Sequence, residues 1–257
     1  MKFIHLSDLH FHGDPNENVQ VTNMLTHIRV NYPAHYLIIT GDITDDGDEQ
    51  QYEQVYQALK PFCENQRRVF ICPGNHDFGA KGNLYSLERA EKFDAMLSKP
   101  LKQGGTFAGD NMPVVNVLKE NGVNVMLIAL DTNLETPETF DAACGKVGET
   151  QLKALDAILS EKSGLGYTRI LFFHHHPFIH LNPFMILKDA HELMGTVYER
   201  VDVVMFGHKH KSKLWDDIHG IRYVIAAGSA AEPNFVVREI DVSKSGIFVN
   251  QIPLQLS

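Results

Sequence analysis

Val69-Phe70-Ile71-Cys72-Pro73-Gly74-Asn75-His76-Asp77 passes from an apolar run straight into a polar turn rich in potential ligands. Four successive apolar residues predict a strand buried on both faces, and Pro73-Gly74 ends it. Asn75 and His76 then emerge at the carboxyl end of a strand, where open α/β sheets place their ligands. The same grammar occurs twice upstream. Residues 3–6 form a short apolar strand that stops at Ser7-Asp8-Leu9-His10-Phe11-His12, and Tyr36-Leu37-Ile38-Ile39-Thr40 runs into Gly41-Asp42-Ile43-Thr44-Asp45. Between these strands Val21, Met24, Leu25 and Ile28 recur at helical spacing, as do Tyr52, Val55, Tyr56 and Leu59 before Pro61. Three strand-helix units in a row predict an α/β protein with a largely parallel sheet.

Working downstream, Leu84, Leu87, Ala90, Phe93, Met96 and Leu97 outline a longer helix, followed by a glycine-marked loop. Residues 114–118 and 123–130 read as a hairpin turned by Asn121-Gly122, because Asn-Gly supplies the positive φ angles of a tight turn. Residues 132–148 read as loop, and Leu152, Leu155 and Leu159 as a helix face. Arg169 to Phe173 is a strand ending in His174-His175-His176-Pro177. After a helical face from Leu187 to Tyr198, the strand 201–206 delivers Gly207-His208-Lys209-His210. From Leu214 to Pro253, short strands and turns predict a second sheet of antiparallel character. Nothing resembles a linker, so one domain is expected over residues 1–257.

Composition narrows the function. The 257 residues are 44% hydrophobic and 21% charged, values of an ordinary folded domain. A net charge of −9 argues against broad attraction to nucleic acid or an anionic membrane surface, and no basic stripe with aromatic interleaving is read. Nucleic acid is therefore not the expected partner. Cys63, Cys72 and Cys144 are odd in number and unpaired in spacing, which points to a reducing compartment. The first residues turn polar too early for a signal-peptide core, and no run approaches the roughly 20 apolar residues of a membrane span. A cytoplasmic location is expected.

Nine of the 14 histidines (His10, His12, His76, His174, His175, His176, His180, His208 and His210) lie in or beside these strand-end motifs. With Asp8, Asp42 and Asn75 they offer hard oxygen and borderline nitrogen donors, the mixture that suits manganese, iron, zinc or cobalt. In order along the chain stand D-x-H, G-D-x-x-D-x-G, G-N-H-D, a histidine at a strand end and G-H-x-H. This ordered set resembles the calcineurin-like metallophosphoesterases, and within them the class III cyclic-nucleotide phosphodiesterases and glycerophosphodiesterase-like enzymes. Phe173-His174-His175-His176-Pro177, Glu149-Thr150-Gln151-Leu152 and Ala227-Gly228-Ser229-Ala230 support the narrower likeness.

The resemblance implies a four-layer αββα sandwich of two mixed sheets with two divalent metal ions at the strand carboxyl ends. By its pattern Asp8, His10, Asp42 and His210 would hold one ion, and Asp42, Asn75, His175 and His208 the other, with Asp42 bridging. Alignment on Pro177 selects His175, while His174 or His176 takes its place if the strand ends one residue differently. Two bridged ions would generate a hydroxide that attacks a phosphodiester. His76 would act on the leaving oxygen and Asp45 would orient its ring. Asn75, His76, His176 and Phe178 are expected to touch substrate, with His180, Asn182 and Phe184 as further pocket walls. Asp77 is expected to serve the turn rather than the chemistry. Asp131-Thr132 could support the site from behind or form a plain turn. The implied activity is hydrolysis of a small phosphodiester, either a cyclic nucleotide or a glycerophosphodiester. The alternatives are a nuclease, a phosphomonoesterase or a non-catalytic binding protein on the same fold. A homodimer through the C-terminal sheet is a further expectation.

Overall fold

A computed structural model describes the chain except residues 65, 80–85, 110–111, 134–142, 162–165, 180–181, 233–234 and 254–257. Strands β1 (Lys2–Leu6), β2 (Tyr36–Thr40) and β3 (Val69–Cys72) alternate with helices α1 (Val19–Asn31) and α2 (Glu49–Leu59). β1, β2 and β3 pair in parallel, as three strand-helix units require. α1 buries the helical stripe Val21, Met24, Leu25 and Ile28, and α2 buries Tyr52, Val55 and Leu59. The expected helix at Leu84 begins instead at Leu87: α3 (Leu87–Phe93) starts at Ser86, whose hydroxyl caps Arg89 N–H, and continues as one π-helical turn, Asp94–Ser98. Leu84 lies outside the described residues.

β4 (Val114–Glu120) and β5 (Val123–Ala129) form the expected hairpin, with Asn121 at φ 51° and Gly122 at φ 77° in its turn. α4 (Glu149–Glu161), β6 (Thr168–Phe172), α5 (Ala190–Val197) and β7 (Val203–Phe206) repeat the strand-helix alternation. The last strands, β8 (Lys213–Ile218), β9 (Ile221–Ala226), β10 (Val237–Ser243) and β11 (Gly246–Ile252), do not make a sheet of their own. β9 joins β7 in parallel and carries β8 as an edge, while β10 returns to lie antiparallel on β1 and carries β11. The resulting orders are β11-β10-β1-β2-β3 and β4-β5-β6-β7-β9-β8. The burial of β9 explains the difference. Tyr223 to Ala226 are buried without alternation, the mark of a strand covered on both faces rather than one half-exposed in a separate sheet.

Residue parity places the layers. Val125, Leu127, Ala129, Ile170 and Phe172 share a core with Phe3, Ile38, Phe70 and the stripes of α1 and α2. Met126, Ile128, Leu171 and Phe173 point the other way, into a core with Leu155 and Leu159 of α4 and Leu193 of α5. The two mixed sheets therefore lie between two sets of helices, the α/β architecture that the motifs imply. Each large side chain buried there contributes about 1.5–3 kcal/mol of hydrophobic free energy, and β1, β2, β3, β6 and β7 bring five motif-bearing ends to one rim.

Candidate metal centre

The polar residues at that rim are held in backbone conformations that most side chains avoid. Asp8, His10, Asp42, His208 and His210 have φ of 53°, 45°, 48°, 73° and 53°. Each costs of order 1–3 kcal/mol, and such strain persists only where neighbours over-determine it. The neighbours are visible. Asp8 N–H donates to Gly41 O and His10 N–H to Asp42 O, both at 3.0 Å, so the turns after β1 and β2 run side by side. A Cβ on Gly74 would overlap the backbone nitrogen and Oδ1 of Asp42, and one on Gly207 would overlap the Ser7 hydroxyl. Glycine is required at both positions by close approach.

Asp77 is the clamp between the turns. Its buried carboxylate accepts from Gly74 N–H (2.8 Å), Ile43 N–H (3.0 Å), Thr44 N–H (2.8 Å) and the Thr44 hydroxyl (2.9 Å). Burial, then the charge of Asp42, pushes its pKa up to about 6. The expected turn role is what these bonds describe, and they tie the β2 turn to the β3 turn.

Ligand atoms converge in three groups: Asp42/His174/His208, Asp8/His10/His210 and His10/Asp45/His76, the last two sharing His10. In the first, His174 Nδ1–H donates to the Thr40 carbonyl at 2.8 Å, which turns Nε2 toward Asp42 Oδ2 (3.1 Å), Asn75 Oδ1 (3.1 Å) and His208 Nδ1 (3.2 Å). His174 thus occupies the position that alignment on Pro177 assigns to His175. β6 ends at Phe172, which faces the core between the sheets, and His174 shares its parity. His175 faces away, with Nδ1 in a 2.7 Å hydrogen bond to Thr132, and its ring packs behind His208 at 4.6 Å between centroids. It belongs to none of the candidate ligand groups among the described residues. Thr132 therefore supports the site from behind, and Asp131, with its pKa pushed by burial up to about 7, orders the same turn through Asn133.

In the second group, Asp8, His10 and His210 meet. His210 Nε2 lies 3.2 Å from Asp8 Oδ1 and 3.4 Å from His10 Nε2. His10 Nδ1 lies 3.4 Å from Asp45 Oδ1. The Asp45 carboxylate accordingly sits on His10 more closely than on His76, whose Nδ1 is 4.0 Å away. It is the Asp45 backbone carbonyl that accepts His76 Nδ1–H, at 2.7 Å. The hydrogen bond between Asp45 and the His76 ring runs through the Asp45 main chain, not through the carboxylate expected to orient it. His76 N–H donates to Asp42 Oδ1 at 2.9 Å, and the His76 ring stands edge-on to His10 at 4.8 Å.

Charge and unmet polar groups fit a cation in each place. Burial opposes a charged ring at His174, yet the charge and hydrogen bond of Asp42 raise its pKa to about 9. The hydrogen bond that the Asp8 carboxylate accepts from its ring raises His210 to about 9. Asp42 and Asp8, both buried, are held below the ordinary carboxylate range, chiefly by His174 and His210 respectively, against the opposing effect of burial. Burial, with His174 beside it, lowers His208 to about 3, so its ring is neutral and a lone pair is available. His175 Nε2 and His208 Nε2 are buried without a hydrogen-bond partner. A tautomer of His174 that satisfies Thr40 aims a lone pair at two oxygen acceptors; a proton or a metal cation there removes the conflict. The donors at hand are carboxylate, amide and imidazole, a set suited to divalent ions.

The groups open into a cavity of about 480 Å³ lined by Asp42, Asn75, His76, His208, His210 and Met185 among others. His176 and Phe178 do not line it; they wall an adjoining cavity of about 620 Å³. Phe184 is 56% exposed and lines neither, Asn182 accepts Phe184 N–H at 3.1 Å, and His180 lies outside the described residues. Two supports escaped the sequence reading. Gln151 is buried and brackets Asp131, accepting its N–H and donating to its carbonyl, and the Ser229 hydroxyl donates to Asp8 O at 2.9 Å. Both fall in stretches whose wording resembles the phosphodiesterases, the one signal that could have flagged them.

Such a rim of strand-end carboxylates and imidazoles between two mixed sheets defines a metal-dependent phosphoesterase fold. The calcineurin-like phosphoesterase family model matches residues 1–212, and the chain belongs to that family. A stretch of 83 residues is 35% identical to a Coxiella burnetii protein named a probable cyclic nucleotide phosphodiesterase, covering 30% of this chain and 32% of that one. The chain is 23% identical over 227 residues to the 3′,5′-cyclic adenosine monophosphate phosphodiesterase of Haemophilus influenzae, covering 82% of this chain and 70% of the relative. A crystal structure of a dimetal phosphatase from Danio rerio superposes with a TM-score of 0.67 at 14% identity, over 93% of this chain and 94% of the other. That last likeness is one of fold.

Proposed function

We propose that the chain is a dinuclear metal-dependent phosphodiesterase that hydrolyses a small phosphodiester of the cyclic-nucleotide or glycerophosphodiester class. The observation that carries this reading is the pairing of two ligand groups, Asp8/His10/His210 and Asp42/His174/His208, beside one cavity. Asn75 completes the second group through its Oδ1, and Asp42 would bridge. The named cyclic-nucleotide activity of the relatives supports a diester over a monoester. Two divalent ions bound here would supply an activated water nucleophile and neutralise the phosphate oxygens.

The chain's own residues do the rest. Asn75 presents a neutral oxygen, adding no charge to a site already holding two buried carboxylates. His76 has its side chain 30% exposed at the cavity, where Nε2 can reach a leaving oxygen. Its Nδ1–H is committed to the Asp45 carbonyl, so Nε2 donates only when the ring is the imidazolium. Among the described residues no helix is long and apolar enough to cross a membrane.

A substrate panel with added Mn²⁺ tests the reading: cyclic nucleotides, glycerophosphodiesters, an aryl diester, an aryl monoester and single-stranded DNA. Preferential turnover of small diesters is expected. Turnover confined to the monoester or to the DNA would replace the substrate class, and an inert metal-loaded protein would overturn the enzyme.

A further inference from the structure

The cavity of about 620 Å³ beside the metal centre has an unusual wall. Lys209 and Lys211 line both it and the metal cavity, so the two spaces share a rim. Phe178 and Trp215, with ring centroids 5.4 Å apart, and His219, stacked on Phe178 at 5.8 Å and 16°, line the same cavity. Lys213 Nζ lies 4.6 Å from the centre of the Trp215 ring. All three lysines are exposed, and among the described residues none pairs with a carboxylate.

On a chain of net charge −9, Lys209, Lys211 and Lys213 gather three cations along one aromatic cleft, with Glu232 the carboxylate that shares the metal cavity with Lys209 and Lys211. The sequence carries the pattern: Lys209, Lys211, Lys213 and Trp215 alternate, and the strand period of two aligns Lys213 with Trp215 on β8. The stripe was not read from the sequence because His208 and His210 interleave with it and claim the stretch as a metal motif. A cyclic mononucleotide has a single phosphate, which the metal centre takes; it leaves this cationic rim without an anion.

We propose that the cleft is a substrate subsite for a nucleotide unit carrying a second, non-reacting phosphate, so that 5′-phosphorylated dinucleotides are preferred substrates. The inference rests on the phosphodiesterase reading and extends its substrate class to short linear dinucleotides. The internucleotide phosphodiester sits at the metal centre, and the terminal phosphate lies against Lys211 and Lys213 with a base against the Phe178 and Trp215 walls. Water adds to phosphorus, the P–O3′ bond breaks and the 3′ oxygen takes a proton. One water is consumed and two nucleoside 5′-monophosphates are released.

Trp215 is the only tryptophan of the chain, so its emission reports occupancy of the cleft without any turnover. The test titrates the metal-loaded full chain with the 5′-phosphorylated diadenylate pApA and with ApA, which lacks the terminal phosphate, each made non-hydrolysable by a methylene group in place of the bridging 3′ oxygen. Saturable change of Trp215 emission by pApA is expected, with affinity about tenfold above that for ApA and falling with added salt. The double variant Lys211→Gln/Lys213→Gln should remove that tenfold preference. No emission change with pApA, or equal affinity for pApA and ApA in the unmodified chain, would overturn the subsite. The two-ligand comparison needs no variant to fold. Because this readout does not depend on catalysis, it fails or succeeds separately from turnover of a generic aryl diester.

Discussion

His174 Nε2 stands 3.1 Å from Asp42 Oδ2 because His174 Nδ1–H is anchored on the Thr40 carbonyl. The same backbone carbonyl accepts the Ser7 hydroxyl at 2.9 Å, so one peptide group at the end of β2 fixes both the β1 turn and the β6 imidazole. The arrangement places His174, and not its neighbour, in the candidate ligand group with Asp42 and His208.

Replacing His174 with Ala should therefore reduce bound metal to about one equivalent per chain. His175→Ala should retain both equivalents and lower affinity by the roughly 10–100-fold typical of residues that position ligands. Elemental analysis after dialysis against metal-free buffer measures both. Loss of metal from the His175 variant with retention in the His174 variant would reverse the assignment.

His76→Ala should keep the metals and reduce kcat by about 10²–10⁴-fold, the usual contribution of a positioned acid. The loss should deepen as the leaving group becomes more basic, measured across a series of substituted phenyl diesters. A uniform loss over the series would show that His76 does not protonate the leaving oxygen.

Asp77 holds two backbone turns through four hydrogen bonds in the core of the rim. Asp77→Ala strands buried donors, each costing about 1–3 kcal/mol, so a total destabilisation of at least about 3 kcal/mol is expected from urea unfolding. Asp77→Asn keeps one acceptor and should lose less. A stability within error of the parent for both variants would contradict the clamp.

Metal uptake should be linked to protons. The pKa of His174 rises from the ordinary 6.5 to about 9 in the fold, and His210 also reaches about 9. Below 6.5 the stabilisation from these charged rings is complete; as pH rises through about 9 the metal-free fold loses it. A cation must displace the same protons, so its binding should tighten as pH rises toward 9. Calorimetric titration near neutral pH in buffers of different ionisation heat should report proton release on filling each group. Equal apparent heats in all buffers would contradict this linkage.

Much of this was legible because strand ends carry both signals at once: an apolar run stops and ligands follow it. Asp8, His10, Asp42, Asn75, His208 and His210 all lie where that rule points. Periodicity also found the stripes of α1 and α2 and the turn at Asn121-Gly122. What it could not supply was partnership between distant strands. β9 and β10 look alike as short apolar segments, and only the packing of both faces of β9 sends it to β7 while β10 crosses to β1. His174 against His175 is a question of one residue in strand length, which alternation alone leaves open. The role of the Asp45 carbonyl in orienting His76 has no signature in side-chain identity.

The central claim is that the paired groups hold two ions that make this chain a phosphodiesterase. Titration of the metal-stripped protein with Mn²⁺, following hydrolysis of an aryl phosphodiester at each addition, tests it most directly. Activity should rise from background and level at two equivalents per chain. Full activity at one equivalent would contradict a dinuclear site, and no turnover at any loading would contradict the enzyme itself.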